Sequence, residues 1–309
     1  MNLLTSPYAF LVLAMLGWSG NVLLGRAMHE TFTPTSLSFW RWSLALALAL
    51  AWLARPLWRK RAVLLREWKV LGGLGLMGVS AFNWLLYQAV ETTTATNTAL
   101  IYANTPIFVV AASRIFLGER ITWGQGAGIA VSTLGVTLVV TRGDPALLLS
   151  MGFTVGDLWA LATVPVWGVY MMLLKHRPPE LTPVELQGAL MIVGWLGIVP
   201  LYLLERAEIL AVPFSIETAM AVLYLAAVAS ILCFVLWNCG VEAVGAGRAA
   251  LFAHLYPLFA TVLAMVFLGE ALRPFHLLGG AMIFLGLALT TLRAGRPVPS
   301  TEEGEHPPG

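Results

Sequence analysis

Hydrophobic residues along the chain form long runs separated by short polar stretches, without the alternation of apolar and polar positions that marks β-strands. A helix needs about 20 apolar residues to cross a bilayer core of about 30 Å, whereas a barrel strand needs only about half as many. The runs therefore predict membrane-spanning helices. The ten predicted spans are Tyr8–Arg26, Ser36–Leu53, Val70–Tyr87, Ala95–Leu117, Trp123–Thr141, Val155–Leu174, Leu186–Leu204, Ala219–Cys239, Ala249–Phe267 and Phe275–Leu292.

The phrase Phe-Leu-Gly-Glu closes two of these runs, at residues 116–119 and 267–270. Its glutamates, Glu119 and Glu270, stand 151 residues apart, and the same spacing relates Pro106 to Pro257. Three further pairs share it: Leu100 and Leu251, Gly128 and Gly279, and Gly135 and Gly286. A weaker sequence similarity relates Trp18 to Trp167 at a spacing of 149 residues. The chain is therefore predicted to repeat itself, with a first half over 1–144 and a second half over 145–294.

Each predicted half contains five spans, and an odd number makes the second half enter the membrane from the side opposite the first. Inverted repeats of this kind enclose a central cavity that opens to either side in turn, which is the geometry of a transporter. The predicted fold class is an all-α membrane protein, with ten transmembrane helices arranged as two inverted five-helix repeats around a central cavity.

Composition and charge agree with this fold and add an orientation. The chain has 59% hydrophobic and 11% charged residues, whereas soluble domains average about 25% charged residues. With the amino terminus inside, thirteen of the eighteen Lys and Arg residues lie on the cytoplasmic side, so both termini are predicted to be cytoplasmic. The basic stretch at 54–69 then faces lipid headgroups, and the net charge of +2 indicates no nucleic-acid partner. The polar, Pro-rich segment 295–309 is predicted to be a disordered cytoplasmic tail.

Two features of the repeat have local explanations. Glycine after the last apolar residues of a helix is a C-cap signal, so Gly118-Glu119 and Gly269-Glu270 predict tight hairpins. A proline inside a span frees a carbonyl and kinks the helix, so Pro106 and Pro257 are predicted to lie at hinges or gates, with plain packing as the alternative.

Polar side chains inside spans are costly in lipid and by default face the protein interior. Aromatic rings and amides predominate among them, and the acidic residues lie near span ends. Such a cavity suits a neutral or zwitterionic, partly apolar solute, because rings can hold an ammonium group and amide donors a carboxylate. The predicted substrate-binding residues are Trp18, Asn21, Asn83, Tyr102, Trp167, Tyr170, Asn238 and His254.

His254 and Arg41 are the interior residues whose charge matters most. His254 lies three residues before Pro257 and titrates near neutral pH, so it is a candidate for substrate contact or proton relay, with a satisfied interior histidine as the alternative. Arg41 is expected to pair or to snorkel rather than bind substrate. Because no Asp or Glu lies mid-span, transport driven by the substrate gradient alone is favoured over proton coupling.

The phrase Pro-(x)9-Phe-Leu-Gly-Glu, present in both halves and followed each time by a glycine-rich span, resembles the EamA-type transporters of the drug/metabolite transporter superfamily. Within them the chain is most similar to bacterial amino-acid and aromatic-metabolite exporters. The resemblance implies a basket of helices in the bacterial inner membrane, alternating access and export. One departure is that Ala271 stands where the first copy has Arg120.

Other functions stay open at this point. A drug exporter or another metabolite exporter of the same fold, proton-coupled through His254, is the main alternative. An integral-membrane enzyme is disfavoured, because the sequence holds no HExxH motif, no Cys/His cluster and no phosphate-binding glycine loop. No metal or cofactor is expected, and nothing requires an oligomer.

Overall fold

The structure is a computed structural model that describes residues 6–28, 30–93, 95–102, 104–116, 118, 121–144, 146–147, 152, 154–204, 215–268 and 273–292. Within these ranges the secondary structure is helical, with no strand. The helices are α1 Pro7–Ala27, α2 Pro34–Arg59, α3 Arg61–Arg66, α4 Trp68–Gly75, α5 Phe82–Thr92, α6 Ala95–Tyr102, α7 Thr105–Phe116, α8 Trp123–Val140, α9 Val155–Leu174, α10 Pro183–Leu204, α11 Ile216–Tyr224, α12 Cys233–Val244, α13 Ala246–Ala250, α14 Leu255–Leu268 and α15 Pro274–Leu292.

By length and apolar composition, eight helical stretches of the described chain suit a membrane crossing. Leu100–Phe116 and Pro274–Thr290 are shorter apolar helices. The sequence prediction of an all-helical, multi-pass membrane protein therefore holds, while ten crossings in two inverted halves stays a prediction.

Two of the predicted spans are interrupted by π-helix at corresponding places. Leu76–Ala81 separates α4 from α5, and Leu225–Leu232 separates α11 from α12, about 150 residues further along. A π-segment widens the helical turn and leaves the carbonyl ladder irregular, as often seen at functional sites. Here the irregular carbonyls find side-chain donors, since Ala229 O accepts from Trp18 Nε1 at 2.8 Å and Leu225 O accepts from the Ser230 hydroxyl at 2.8 Å.

The helices that carry the two repeat prolines are also broken. Pro106 lies in the first turn of α7, directly after the end of α6 at Tyr102. Pro257 lies in the first turn of α14, after a 3-10 turn over Leu251–His254. Because proline has no N–H and its ring clashes with the carbonyl four residues earlier, it ends the regular ladder in both halves. Each proline therefore follows a break in its helix, and the predicted hinge or gating role stays a prediction.

Helix packing follows the same two-part pattern. Helix α1 of the first half packs on α12 of the second, and α9 of the second half packs on α5 of the first. By the repeat spacing, α1 corresponds to α9 and α5 to α12, so the two contacts are equivalent. Helices α2 and α10 pack on each other, as do α8 and α15. In the last pair, backbones approach so closely that a Cβ at Gly128 would lie 2.5 Å from Gly286 O, and one at Gly135 would lie 2.7 Å from Gly279 O. The repeated glycines therefore pack the chain against itself.

The predicted hairpin after the first copy of the repeated phrase is supported at one position. Gly118 has φ of +68°, the left-handed conformation that suits a glycine after a helix end. Glu119, Arg120, the segment 269–272 and the tail 293–309 lie outside the described residues.

Candidate substrate-binding cavity

A cavity lies between the two halves of the chain, at the level of the interrupted helices. The space in which the centre of a water molecule can lie is about 80 Å³. One water needs about 10–15 Å³ by this measure, so the cavity has room for several waters. The cavity is lined by Met15, Trp18, Asn21, Phe82, Asn83, Leu86, Tyr102, Thr105, Trp167, Phe234, Trp237, Ala253 and Tyr256.

The lining residues come largely in pairs related by the internal repeat. At the spacing of 151 residues, Asn83 corresponds to Phe234, Leu86 to Trp237, Tyr102 to Ala253 and Thr105 to Tyr256, and at 149 residues Trp18 corresponds to Trp167. Equivalent positions thus face one cavity but carry different chemistry. The first half supplies the amides and Thr105, and both halves supply large rings, so the cavity has a polar wall from the first half and an aromatic wall built by both halves.

The aromatic wall is a packed cluster of rings. Trp18 meets Trp167 edge-on, with 5.6 Å between centroids, and Phe234 edge-on at 5.1 Å. Trp167 in turn stacks on Tyr170 at 4.9 Å and lies 4.7 Å from Phe82. Edge-on and offset arrangements are the favourable ones for aromatic pairs. The cluster offers ring faces to an apolar or cationic group.

The polar wall is built around a buried cation. Arg41 on α2 has no exposed surface, and its Nη1 donates to Asn21 Oδ1 at 3.1 Å, Asn83 Oδ1 at 3.0 Å and the Tyr87 hydroxyl at 2.9 Å. Its Nε donates to Ser230 Oγ at 2.6 Å. Asn83 also donates from Nδ2 to two carbonyls of the first π-segment region, Gly78 O and Val79 O. Arg41 therefore stands directly behind the two cavity amides and fixes their orientation.

The predicted binding residues divide into two groups. Trp18, Asn21, Asn83, Tyr102 and Trp167 line the cavity. Tyr170 and Asn238 lie beyond the lining, fully or almost fully buried, and the Tyr170 hydroxyl donates to Asn238 Oδ1 at 2.7 Å. Their bond mirrors that of Tyr87 to Asn21 at 3.0 Å, with the residue types exchanged between equivalent positions. Substrate contact by any of these residues stays a prediction.

His254 is buried in the 3-10 turn before Pro257 and is not among the residues that line the cavity. Its Nδ1 lies 2.6 Å from Ser132 Oγ on α8. The Ser132 hydroxyl also lies 2.6 Å from Gly128 O in its own helix. In this conformation His254 ties the broken helix to α8.

Sequence reasoning missed several cavity residues. Taken singly, Phe82, Leu86, Thr105, Trp237 and Tyr256 carry no signal in the sequence that separates them from ordinary packing residues. The repeat register was the available signal, since Trp237 and Phe234 occupy the positions of Leu86 and Asn83. Arg41 was expected to pair or snorkel, and it is fully buried and pairs with neutral oxygens behind the cavity wall. Among the described residues, no group of three His, Cys, Asp or Glu side chains is placed to hold a metal ion.

Comparison with known proteins agrees with the two-part pattern. The sequence model of the EamA-like transporter family matches this chain twice, over residues 5–141 and 154–292. An uncharacterized transporter of Archaeoglobus fulgidus is 29% identical over 94% of this chain and 98% of its own length. A probable terminal-alkyne amino-acid exporter of Streptantibioticus cattleyicolor is 30% identical over 92% of each chain. The uncharacterized transporter YyaM of Bacillus subtilis is 26% identical over 83% of this chain and 84% of its own.

A solved crystal structure has the same fold. It superposes with a TM-score of 0.72 at 21% sequence identity, covering 93% of this chain and 98% of the other. The family and the names of these relatives indicate a transporter rather than an enzyme, with a small-molecule substrate and a membrane location. Because the family model covers most of the sequence in two copies, this chain belongs to the EamA-like transporter family.

Proposed function

We propose that this protein is a carrier of the bacterial inner membrane that exports neutral and aromatic amino acids and related small metabolites by alternating access. Both termini face the cytoplasm, and the substrate gradient alone drives transport. The observation that carries the proposal is the cavity between the halves, where Trp18 and Trp167 meet beside the amides of Asn21 and Asn83.

The chemistry of the cavity supports the substrate class. Rings of Trp and Tyr attract an ammonium group through their faces and accommodate an apolar side chain. The Nδ2 group of Asn21 provides a hydrogen-bond donor for a carboxylate, whereas Nδ2 of Asn83 donates to Gly78 O and Val79 O. An α-amino acid carries all three groups within a few ångströms. The similarity to a probable amino-acid exporter at 30% identity points to the same class.

Repeat-related features support alternating access by two similar halves. The π-segments at Leu76–Ala81 and Leu225–Leu232 correspond, and both prolines follow a break in their helix. Carriers with inverted repeats place discontinuous helices at the substrate site and move one half against the other. We assign the moving segments to the regions around Pro106 and Pro257.

The charge of the cavity lining supports transport without proton coupling. No Asp or Glu is among the lining residues, so the described cavity holds no carboxylate to carry a proton. Coupling through His254, whose Nδ1 lies 2.6 Å from Ser132 Oγ, is the alternative.

The test is uptake of labelled amino acids by proteoliposomes that contain the purified protein, with and without an imposed pH gradient. We expect uptake of phenylalanine, tryptophan and leucine that is indifferent to the gradient and lost in Trp167→Ala. Trp123→Ala is the matched control, because Trp123 is 93% exposed and is not among the lining residues. Uptake that rises with the gradient and loses this dependence in His254→Gln would establish the coupled alternative. No amino-acid flux under any gradient would overturn the substrate class and favour a drug or another metabolite as cargo.

A further inference from the structure

We propose that Arg41 makes the cavity selective for carboxylates and orients the substrate, with its carboxylate at the polar wall and its side chain at the aromatic wall. This inference rests on the proposed function and adds to it the substrate group that the cavity selects, the carboxylate. Arg41 acts as a positioning residue, because it reaches the cavity through Asn21 and Asn83.

The hydrogen bonds of Arg41 leave part of its guanidinium unused. A guanidinium has five N–H donors and stays protonated in proteins. The Nε hydrogen goes to Ser230, and the two Nη1 hydrogens are shared among three acceptors. Nη2 is buried and has no hydrogen-bond partner among the described residues. Two donors of a charged group are therefore unused in the protein interior.

The guanidinium of Arg41 lies over the ring of Trp42, 4.9 Å from its centroid, but it has no carboxylate partner among the described residues. Its hydrogen-bond acceptors are amide and hydroxyl oxygens, and the described residues place no carboxylate within ion-pair distance. Burying a single ion costs several kcal/mol, and an opposite charge nearby offsets much of that cost. A substrate carboxylate entering the cavity supplies that opposite charge.

The adjacent amide provides the contact itself. Asn21 Oδ1 accepts from both Arg41 and Tyr87, so the Nδ2 group of Asn21 is left as a donor at the cavity wall. An acceptor at this point feels the field of the guanidinium behind it, which falls off slowly in a medium of low dielectric constant.

The second half lacks this arrangement. At the spacing of 149 residues that aligns Thr33-Pro34 with Thr182-Pro183, Arg41 corresponds to Leu190, which is fully buried. Asn83 corresponds to Phe234. The positive field thus acts on one wall only, and a zwitterionic substrate has one favourable orientation.

The test compares competitors of labelled phenylalanine uptake in wild-type proteoliposomes. The competitors are 3-phenylpropionate, which keeps the carboxylate and lacks the ammonium group, and phenylalaninamide, which keeps the ammonium group and lacks the carboxylate. We expect 3-phenylpropionate to inhibit at a concentration at least tenfold lower than phenylalaninamide. Equal inhibition, or stronger inhibition by the amide, would overturn the inference while leaving amino-acid transport intact.

Variants then assign the preference to Arg41. Arg41→Gln is expected to reduce the ratio of the two inhibitory concentrations to near one, and Arg41→Lys to retain much of it. Leu190→Met is the matched control at the equivalent buried position, and its ratio is expected to equal that of wild type. A ratio unchanged in Arg41→Gln would overturn the assignment.

Binding in detergent, followed by quenching of tryptophan fluorescence, separates the two proposals. If phenylalanine is not transported but 3-phenylpropionate binds at least tenfold more tightly than phenylalaninamide, the transport proposal fails and the carboxylate site stands. If both ligands bind equally, the carboxylate site fails whatever the transport result. The comparison of the two ligands in the wild-type protein tests the carboxylate site even if Arg41→Gln does not fold.

Discussion

The indole ring of Trp18 stands edge-on to that of Trp167, with 5.6 Å between the centroids and 85° between the planes. The two residues occupy corresponding positions of the repeat, so the halves of the chain meet here through the same residue type. Trp18 is further fixed by the bond from its Nε1 to Ala229 O in the second π-segment. The contact therefore connects the two halves of the chain at the cavity wall and beside an interrupted helix.

We expect this ring pair to be energetically coupled. Trp18→Leu and Trp167→Leu should each destabilise the protein, and the double variant should lose less than the sum of the two. The expected coupling is about 0.5–1.5 kcal/mol, the range for aromatic pairs. Thermal unfolding of the four proteins in one detergent measures it. Strict additivity would show that the rings do not interact in the folded protein.

The glycine contacts between α8 and α15 predict a position-specific effect. Gly128→Ala places a Cβ 2.5 Å from the backbone oxygen of Gly286, and because the obstacle is backbone, we expect destabilisation by about 1–3 kcal/mol. Gly126→Ala, in the same helix with no heavy atom within 4 Å of the new Cβ, should be neutral or stabilising by up to about 1 kcal/mol. Unfolding temperatures that do not separate the two variants would contradict this packing.

The bond between Tyr170 and Asn238 predicts a rescue. Asn238→Leu leaves the buried Tyr170 hydroxyl without its acceptor, which should cost about 1–3 kcal/mol. Adding Tyr170→Phe removes the stranded hydroxyl and should restore part of the loss. The comparison is again made by thermal unfolding, and a double variant no more stable than Asn238→Leu would refute the explanation.

The surface pair of Arg66 and Glu180 predicts a small dependence of stability on pH. Hydrogen bonding to Arg66 lowers the pKa of Glu180 below its usual value of 4.5. A depressed carboxyl pKa stabilises the folded state above pH 4.5, and this contribution is lost as the pH falls through the folded-state pKa. The side chains are 58% and 41% exposed, so solvent screens the pair and the effect is modest. The difference in unfolding temperature between wild type and Glu180→Gln should narrow below pH 4.5 and shrink in 1 M salt.

The distribution of Lys and Arg predicts which loops face the cytoplasm. In intact cells, a membrane-impermeant maleimide should label Asp144→Cys, which follows α8 on the opposite side from the amino terminus. Arg61→Cys, between α2 and α3, should be labelled only after the cells are opened. The protein without an introduced cysteine shows how much labelling comes from its two natural cysteines, Cys233 and Cys239. The reverse pattern of labelling would invert the proposed orientation.

Much of the fold follows from local sequence. Long apolar runs specify helices because lipid leaves the backbone no other partner, and Pro106 and Pro257 specify breaks because proline lacks an N–H. The spacing of 151 residues also identified Gly128, Gly135, Gly279 and Gly286. The spacing did not predict that Gly128 packs on Gly286 and Gly135 on Gly279, because these contacts depend on how α8 and α15 cross.

The site divides in the same way. Sequence placed Trp18, Asn21, Asn83, Tyr102 and Trp167 at the cavity because polar and amphipathic side chains inside a span face the interior. The sequence could not separate Tyr170, Asn238 and His254 from these lining residues. The type of a polar residue does not show whether it binds a ligand or another side chain of the protein. His254 has Ser132 beside it, and Tyr170 has Asn238.

By itself the sequence determined the class of protein, the repeat and the kinds of group available inside the membrane, because these depend on hydrophobicity, spacing and residue chemistry. Only the tertiary structure decided that Arg41 lies behind Asn21 and Asn83, and that the two halves give one cavity a polar wall and an aromatic wall. The physical reason is that these contacts join helices distant in sequence, and their partners are set by how the helices cross.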